Sequence, residues 1–294
     1  MRLRARAPGK VNLCLFLGAP RGDGLHELAT VFESVSLCDE LVLSPAAGPE
    51  DEVICAGVED PNLALLALRA LRERGWDAPP VQIEIEKRIP IAGGMAGGSA
   101  DAAAALRMAV ELAPGRPEEI AEIAASLGAD VPAQLAPGLV LGTGAGEIVE
   151  PLFPVAQHAL VIVPQSSGLA TAAVYREADL LGLQREAGEL EALVSSLRRA
   201  LAPDERLPSE LLVNDLEPAA VSLCPPIAAA LDAIRAAGAD DAFVSGSGPT
   251  AACLYWWPEG PHRAGAAAAE LAIRYPGTVS AVPVSAQFAS PELV

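Results

Sequence analysis

Residues 81–106 read VQIEIEKRIPIAGGMAGGSADAAAAL and contain three structural signals in a row. Apolar and polar residues alternate over 81–86, which is the period of a half-buried strand. A glycine-rich loop follows at 90–99, and the alanine-rich segment 100–112 predicts a helix. A strand followed by a glycine loop and a helix predicts a turn. At this turn, free backbone N–H groups and the start of the helix face the same space.

The chemistry of this loop favours an anion. Glycines 93, 94, 97 and 98 remove the side chains that would keep a ligand from the backbone, and the exposed N–H groups suit a phosphate. Ser99 is expected to cap the helix or to bind a phosphate or its metal, and Asp101 is expected in the first turn. No Lys precedes Ser99, so the loop is not a Walker A motif, and it is not GxGxxG. A flexible turn without a ligand remains the alternative.

Three further segments carry polar residues between apolar runs: PGKVN at 8–12, GADVP at 128–132 and SGSGPT at 245–250. Each has an ordinary structural explanation, namely a strand-end lysine, a turn aspartate and a tight hairpin. Asp130 is expected just past a helix over 117–127, with Pro132 preventing the helix from resuming. The 245–250 segment is alternatively a second anion-facing backbone nest.

Composition limits the classes of function. The chain has 294 residues, 51% of them hydrophobic, and a net charge of −18, which argues against a nucleic-acid surface. Its five cysteines are scattered without CxxC spacing, so we expect neither zinc nor disulfides, and a cytoplasmic location. The basic N-terminus lacks a signal-peptide cleavage site, and no apolar run is long enough to span a membrane.

Periodicity predicts an α+β protein of two domains, 1–157 and 158–294. Residues 1–17 predict a strand, a Pro-Gly break and a second strand. Beyond residue 158 the elements follow the order β-α-β-β-α-β with extra helices, which is a split-βαβ layout.

Taken together, the motifs resemble those of GHMP-type small-molecule kinases. The segments are APGKVNLCL at 7–15, PIAGGMAGGSADAAAAL at 90–106, LGADVP at 127–132 and SGSGPT at 245–250, in the order and approximate spacing of that superfamily. GDGLHELATVF at 22–32 and NDLE at 214–217 are similar to the branch that phosphorylates a cytidine diphosphate methylerythritol in isoprenoid precursor synthesis. The resemblance covers about residues 5–285.

The resemblance implies an N-terminal domain like ribosomal protein S5 domain 2 and a ferredoxin-like C-terminal domain. It implies Asp130 as the general base and Lys10 as the cation that stabilises the transferred phosphoryl group and keeps Asp130 ionised. Mg²⁺ is expected to accompany ATP, with Ser99 as a candidate ligand. The residues expected to bind ATP are Pro90, Ile91, Ala92, Gly93, Gly94, Met95, Ala96, Gly97, Gly98, Ser99 and Ala100.

Substrate recognition is also implied by the resemblance. His26 is similar to a residue that hydrogen-bonds cytosine, Tyr175 to an aromatic that stacks on it, and Asn12 to a contact near the reacting hydroxyl. Ser247 and Gly248 complete the expected substrate site. The chain departs from the family at Leu25, where a second stacking tyrosine is usual.

Two other functions remain open: a GHMP kinase for another small alcohol, and a non-catalytic nucleotide-binding relative. The presence of both Lys10 and Asp130 disfavours the second. An RNA-binding role by analogy with the S5-like fold is disfavoured by the charge of −18. Neither a membrane nor an obligate protein partner is inferred.

Overall fold

Two sheets organise the chain, which we describe from a computed structural model over residues 1–58, 62–91, 93–113 and 117–294. The first sheet has the order β11-β1-β2-β4-β3, with β5 on β2 and β6 on β5; the second has the order β10-β7-β9-β8. The strands are β1 (Leu3–Pro20), β2 (His26–Pro45), β3 (Glu52–Cys55), β4 (Val81–Glu86), β5 (Leu139–Thr143), β6 (Ile148–Pro151), β7 (His158–Val163), β8 (Asp241–Val244), β9 (Ala251–Trp256), β10 (Val279–Ala281) and β11 (Glu292–Leu293).

Helices cover these sheets. They are α1 (Leu63–Glu73), α2 (Gly97–Leu112), α3 (Pro117–Leu127), α4 (Val131–Leu135), α5 (Thr171–Leu181), α6 (Ala187–Ala200), α7 (Glu217–Leu223), α8 (Pro226–Ala236) and α9 (Gly260–Ala272). The middle of α2 is buried on every side because it packs against both β1 and α1, and its alanines let these neighbours approach closely. Among the described residues, no helix has the length and apolarity that a membrane crossing requires.

Most predicted elements are confirmed. The strand predicted over 81–86 is β4, and the helix predicted over 117–127 is α3. The structure also shows that Asn62 caps α1 by accepting the Ala64 N–H at 2.7 Å. The β-α-β-β-α-β order of the second half is observed as a four-stranded antiparallel sheet. The short helix α7 was not predicted.

The expected break at Pro8-Gly9 is wrong, because β1 continues through it as a bulge. Its register with β2 shifts between Pro8 and Lys10, so the strand bends without ending. A Cβ on Gly9 would lie 3.3 Å from the Leu37 carbonyl oxygen and 3.3 Å from Met95 Cε, so glycine permits the close approach. The bulge directs Lys10 into the cavity described below.

A buried pair joins the two sheets. His158 Nε2 lies 2.7 Å from Glu33 Oε2, and His158 Nδ1 lies 2.8 Å from the Ala156 carbonyl oxygen. Both partners are acceptors, so both ring nitrogens carry protons and the imidazole is charged. β11 joins the halves a second time, because it pairs with the start of β1 across the division expected at residue 157/158.

Candidate active site

A cavity of about 900 Å³ opens where the glycine loop, β1, β2 and α5 meet. Its walls include most of the residues expected from the sequence. These are Lys10, Asn12, Leu25, His26, Pro90, Ile91, Gly93, Gly94, Met95, Ala96, Gly97, Gly98, Ser99, Asp130, Tyr175 and Ser247. Ala100 is buried behind the loop, and Ala92 lies outside the described residues.

Lys10 is a buried cation held in one position. Its Nζ donates to Asn12 Oδ1 at 2.5 Å and to the Gly94 carbonyl at 3.1 Å. Asn12 is fixed in turn, because its Nδ2 donates to Thr30 Oγ1 at 2.7 Å. Burial lowers the pKa of Lys10, and the nearby carboxylate of Asp130 partly offsets this effect. The lysine is therefore placed by contacts with β1, β2 and the glycine loop.

Asp130 faces this lysine across the cavity. Its Oδ2 lies 4.0 Å from Lys10 Nζ, and its side chain is 36% exposed. Within the described ranges its carboxylate makes no hydrogen bond, so both oxygens are open to a ligand.

The prediction that Pro132 prevents a new helix is wrong. Asp130 stands at the N-cap of α4, which begins at Val131. Proline is tolerated in a first helical turn because the N–H that it lacks would have no partner there.

The glycine loop presents a helix start to the cavity. α2 begins at Gly97, three residues before the predicted start at Ala100, and its N-cap is Ala96 in the left-handed conformation with φ 53°. The expected capping role of Ser99 is therefore wrong: Ser99 lies in the first turn and lines the cavity. The first backbone N–H groups of a helix have no intrahelical acceptor, so they point at this space.

Asp101 belongs to a cluster that sequence reasoning missed. Because α2 starts early, Asp101 lies beyond the first turn, contrary to expectation. Lys87 Nζ donates to Asp101 Oδ2 at 2.7 Å and to Asp39 Oδ2 at 2.5 Å. Burial raises the pKa of Asp101 to about 7; Lys87 opposes this rise and the negative charge of Asp39 supports it. The sequence position of Lys87 could have indicated this cluster, because this lysine directly follows β4 and precedes the glycine loop.

The cavity also carries an aromatic pair. The rings of His26 and Tyr175 have centroids 5.1 Å apart at 40°. His26 Nε2 lies 2.7 Å from Asp179 Oδ1, and Leu25 is 50% exposed on the preceding loop. Burial raises the pKa of the Tyr175 phenol, and the negative charge of Asp130 raises it further. This part of the cavity is partly apolar, and we call it the His26–Tyr175 slot.

The 245–250 segment closes one side of the cavity. Ser247 lines it and shares a hydrogen bond with Thr171, at 3.1 Å between the hydroxyl oxygens. Gly248 lies behind this wall: its carbonyl oxygen would be 2.8 Å from a Cβ on Gly94, so the two glycine loops touch. Asn214 Nδ2 donates to the Val244 and Gly246 carbonyls, each at 2.7 Å, and so fixes the segment.

Metal binding by side chains alone finds little support. Within the described parts of the chain, no three His, Cys, Asp or Glu residues are grouped so as to hold a metal ion. A metal at this site would need oxygens from a ligand as well.

Two family models match the sequence. "GHMP kinases N terminal domain" matches residues 62–138, and "GHMP kinases C terminal" matches residues 190–277.

Curated relatives match over most of their length. The 4-diphosphocytidyl-2-C-methyl-D-erythritol kinase of Streptomyces coelicolor is 44% identical over 263 residues, covering 86% of this chain and 88% of that protein. The kinase of the same name from Mycobacterium tuberculosis is 44% identical over 262 residues, covering 85% and 80%.

Solved structures share the fold. A crystal structure of 4-(cytidine 5'-diphospho)-2C-methyl-D-erythritol kinase superposes with a TM-score of 0.76 at 31% identity, over 95% of this chain and 98% of that one. The L. major mevalonate kinase superposes with a TM-score of 0.67 at 16% identity, over 96% of each chain, which shows a shared fold alone.

Proposed function

The chain belongs to the GHMP kinases, and on this basis we propose that it phosphorylates the 2-hydroxyl of 4-diphosphocytidyl-2-C-methyl-D-erythritol with ATP, in isoprenoid precursor synthesis. The relatives at 42–44% identity carry the name of this kinase. The observation that carries the proposal is one cavity that holds the glycine loop, the Lys10–Asp130 pair and the His26–Tyr175 slot. We also propose a cytoplasmic location, where ATP is available.

The glycine loop provides the nucleotide site. The start of α2 and the left-handed Ala96 direct backbone N–H groups into the cavity, and these groups favour phosphate. Mg²⁺ bound to ATP takes one or two protein oxygens in addition to phosphate and water, and the Ser99 hydroxyl fits that requirement. There it would neutralise negative charge on the phosphates.

The Lys10–Asp130 pair provides the reaction site. A hydroxyl is a weak nucleophile, so Asp130 accepts its proton as the oxygen attacks the γ-phosphorus. Negative charge spreads over the phosphoryl oxygens during transfer, and the buried Lys10 ammonium stabilises it. Asn12 lines the same region, and its amide, bonded to Lys10 and Thr30, holds the ammonium toward the reacting end.

The His26–Tyr175 slot provides the cytidine site. The base would stack on Tyr175 and hydrogen-bond to His26, with Leu25 as an apolar cover on the open side. Ser247 lines the same cavity. Gly248 would contribute only its backbone, from behind the wall.

A second candidate rests on Leu25. Because this position lacks an aromatic ring, the site would also accept a smaller alcohol without a nucleobase, as other GHMP kinases do.

An ADP-release assay with ATP and Mg²⁺ separates the candidates. It compares the cytidine substrate with homoserine, mevalonate and galactose. We expect ADP release only with the cytidine substrate. Asp130→Asn should lower kcat by about 10²-fold or more with little change in ATP binding, because the base is lost.

The matched control is Asp232→Asn, which removes the same charge from an exposed position on α8. It should retain wild-type turnover. ADP release with another alcohol would show that this alcohol, and not the cytidine compound, is the substrate. Near-normal turnover by Asp130→Asn would refute the assignment of the base.

A further inference from the structure

An acidic side chain that the sequence analysis did not select contacts His26. Asp179, on α5, places Oδ1 2.7 Å from His26 Nε2. The His26 side chain is 7% exposed and the Asp179 side chain is 41% exposed, so the contact lies at the edge of the cavity. Both residues line the cavity together with Tyr175.

The hydrogen bonds around Asp179 fix the position of a proton. Gln184 Nε2 also donates to Asp179 Oδ1, so this oxygen acts as an acceptor. An ionised carboxylate has no proton to donate, so Asp179 Oδ1 accepts from the histidine as well, and Nε2 carries the proton. In the neutral imidazole, Nδ1 is then left with a lone pair.

That lone pair is available to a ligand. Across the ranges that the structure describes, His26 Nδ1 has no hydrogen-bond partner, while its ring lines the cavity beside Tyr175. A base stacked on Tyr175 would meet a hydrogen-bond acceptor at this nitrogen. Cytosine presents an amino donor at position 4, whereas uracil presents a carbonyl acceptor there.

We propose that Asp179 is a positioning residue that holds His26 in the Nε2–H tautomer, so that Nδ1 accepts from the cytosine amino group and rejects uracil. This inference rests on the proposed function, because it takes the base to be cytosine. Two acceptors facing each other in a partly buried site leave both unsatisfied, and such mismatches discriminate strongly between ligands. Asp179 acts through His26 and touches no reacting atom.

Binding of CDP and UDP tests the proposal by calorimetry. The wild-type chain should bind CDP at least tenfold more tightly than UDP. In Asp179→Asn the side-chain amide can present either its oxygen or its nitrogen to Nε2, so the tautomer is no longer imposed. The CDP preference should then fall below threefold, and the KM for the cytidine substrate should rise while the KM for ATP stays the same.

The matched control is Glu177→Gln, which removes a carboxylate from the same helix. Glu177 accepts from Ser222 at 2.6 Å and does not line the cavity. Its variant should keep the wild-type preference for CDP. An equal loss in both variants would show a general charge effect and overturn the proposal.

Nitrogen-15 NMR of the wild-type histidines tests the tautomer without relying on the Asp179 variant. The chain has three histidines, and His26→Gln assigns the signal. An Nε2–H signal for His26 supports the proposal, and an Nδ1–H signal overturns it even if Asp179→Asn does not fold.

The same measurements separate this inference from the proposed function. If the wild-type chain phosphorylates the cytidine substrate and Asp179→Asn keeps the full CDP preference, the inference fails and the function stands. If the wild-type chain neither binds CDP nor phosphorylates the cytidine substrate, both fail.

Discussion

Replacing Gly94 with alanine should force the two glycine loops apart. Gly94 has φ +75°, and a Cβ there would lie 2.7 Å from the Ser245 carbonyl oxygen and 2.8 Å from that of Gly248. Ordinary contact begins near 3.4 Å, so backbone must move by 3.4 − 2.7, or about 0.7 Å. The left-handed conformation costs about 1–2 kcal/mol for alanine, and overpacking costs a further ~1–3 kcal/mol.

The free energy of unfolding of Gly94→Ala should therefore fall by about 2–5 kcal/mol in urea denaturation. Catalysis should suffer as well, because the Gly94 carbonyl accepts from Lys10 Nζ at 3.1 Å. A displacement approaching 1 Å at a reacting group costs up to about 10²-fold in rate, so we expect kcat to fall by between ~10-fold and ~10²-fold.

Gly98→Ala is the matched control in the same loop. A Cβ on Gly98 meets only Leu63 Cδ1, at 3.4 Å, and this glycine lies within α2. Alanine is favoured over glycine in a helix by up to about 1 kcal/mol, so this variant should be as stable as the wild type or slightly more stable. Equal stability losses at positions 94 and 98, or a Gly94→Ala protein within about 1 kcal/mol of wild type, would refute the reasoning.

Three further outcomes are expected. Leu25→Tyr should lower the KM for the cytidine substrate about fivefold, the equivalent of ~1 kcal/mol of added stacking opposite Tyr175, whereas an unchanged KM would mean that Leu25 already suits its ligand. Burial lowers the pKa of His158, but the Glu33 carboxylate and a backbone carbonyl outweigh it and raise the pKa above 6.5. The stabilisation from this pair is complete below pH 6.5 and is lost as the pH rises through the raised pKa. In urea denaturation, the free energy of unfolding of the wild type should therefore be lower at about pH 9 than at about pH 6, and Glu33→Gln should lack this decrease. The pKa of Asp101 is raised from 3.8 to about 7, so its protonated form favours folding. The stability of Asp101→Asn relative to wild type should therefore increase as the pH rises through that range, and a constant difference would contradict the raised pKa.

The sequence predicts the site best where its residues are contiguous. The clustered glycines identify the anion-binding loop. Lys10 and Asp130 lie in short motifs, and the order of these motifs along the chain indicates the family. Local periodicity likewise predicts β4 and α3.

Contacts between distant residues were not predictable in this way. The His26–Asp179 contact joins residues 153 positions apart, and the Lys87–Asp39 contact spans 48. Such partners depend on how strands and helices pack, which no local pattern encodes. The wrong expectations at Pro8 and Pro132 share one cause: each proline occupies a position where its missing N–H is harmless, a bulge in one case and a first helical turn in the other.

The pairing of β11 with β1 has a consequence for biosynthesis. Leu3 pairs with Leu293, a separation of 293 − 3 = 290 residues. Domains generally fold from the N-terminus while the ribosome extends the chain by about 5–20 residues per second. At that rate β11 would be synthesised on the order of 15–60 s after β1, and this edge of β1 would be unpaired until then. During that interval the backbone of β1 offers unpaired groups to other nascent chains, and chaperone protection would matter most there.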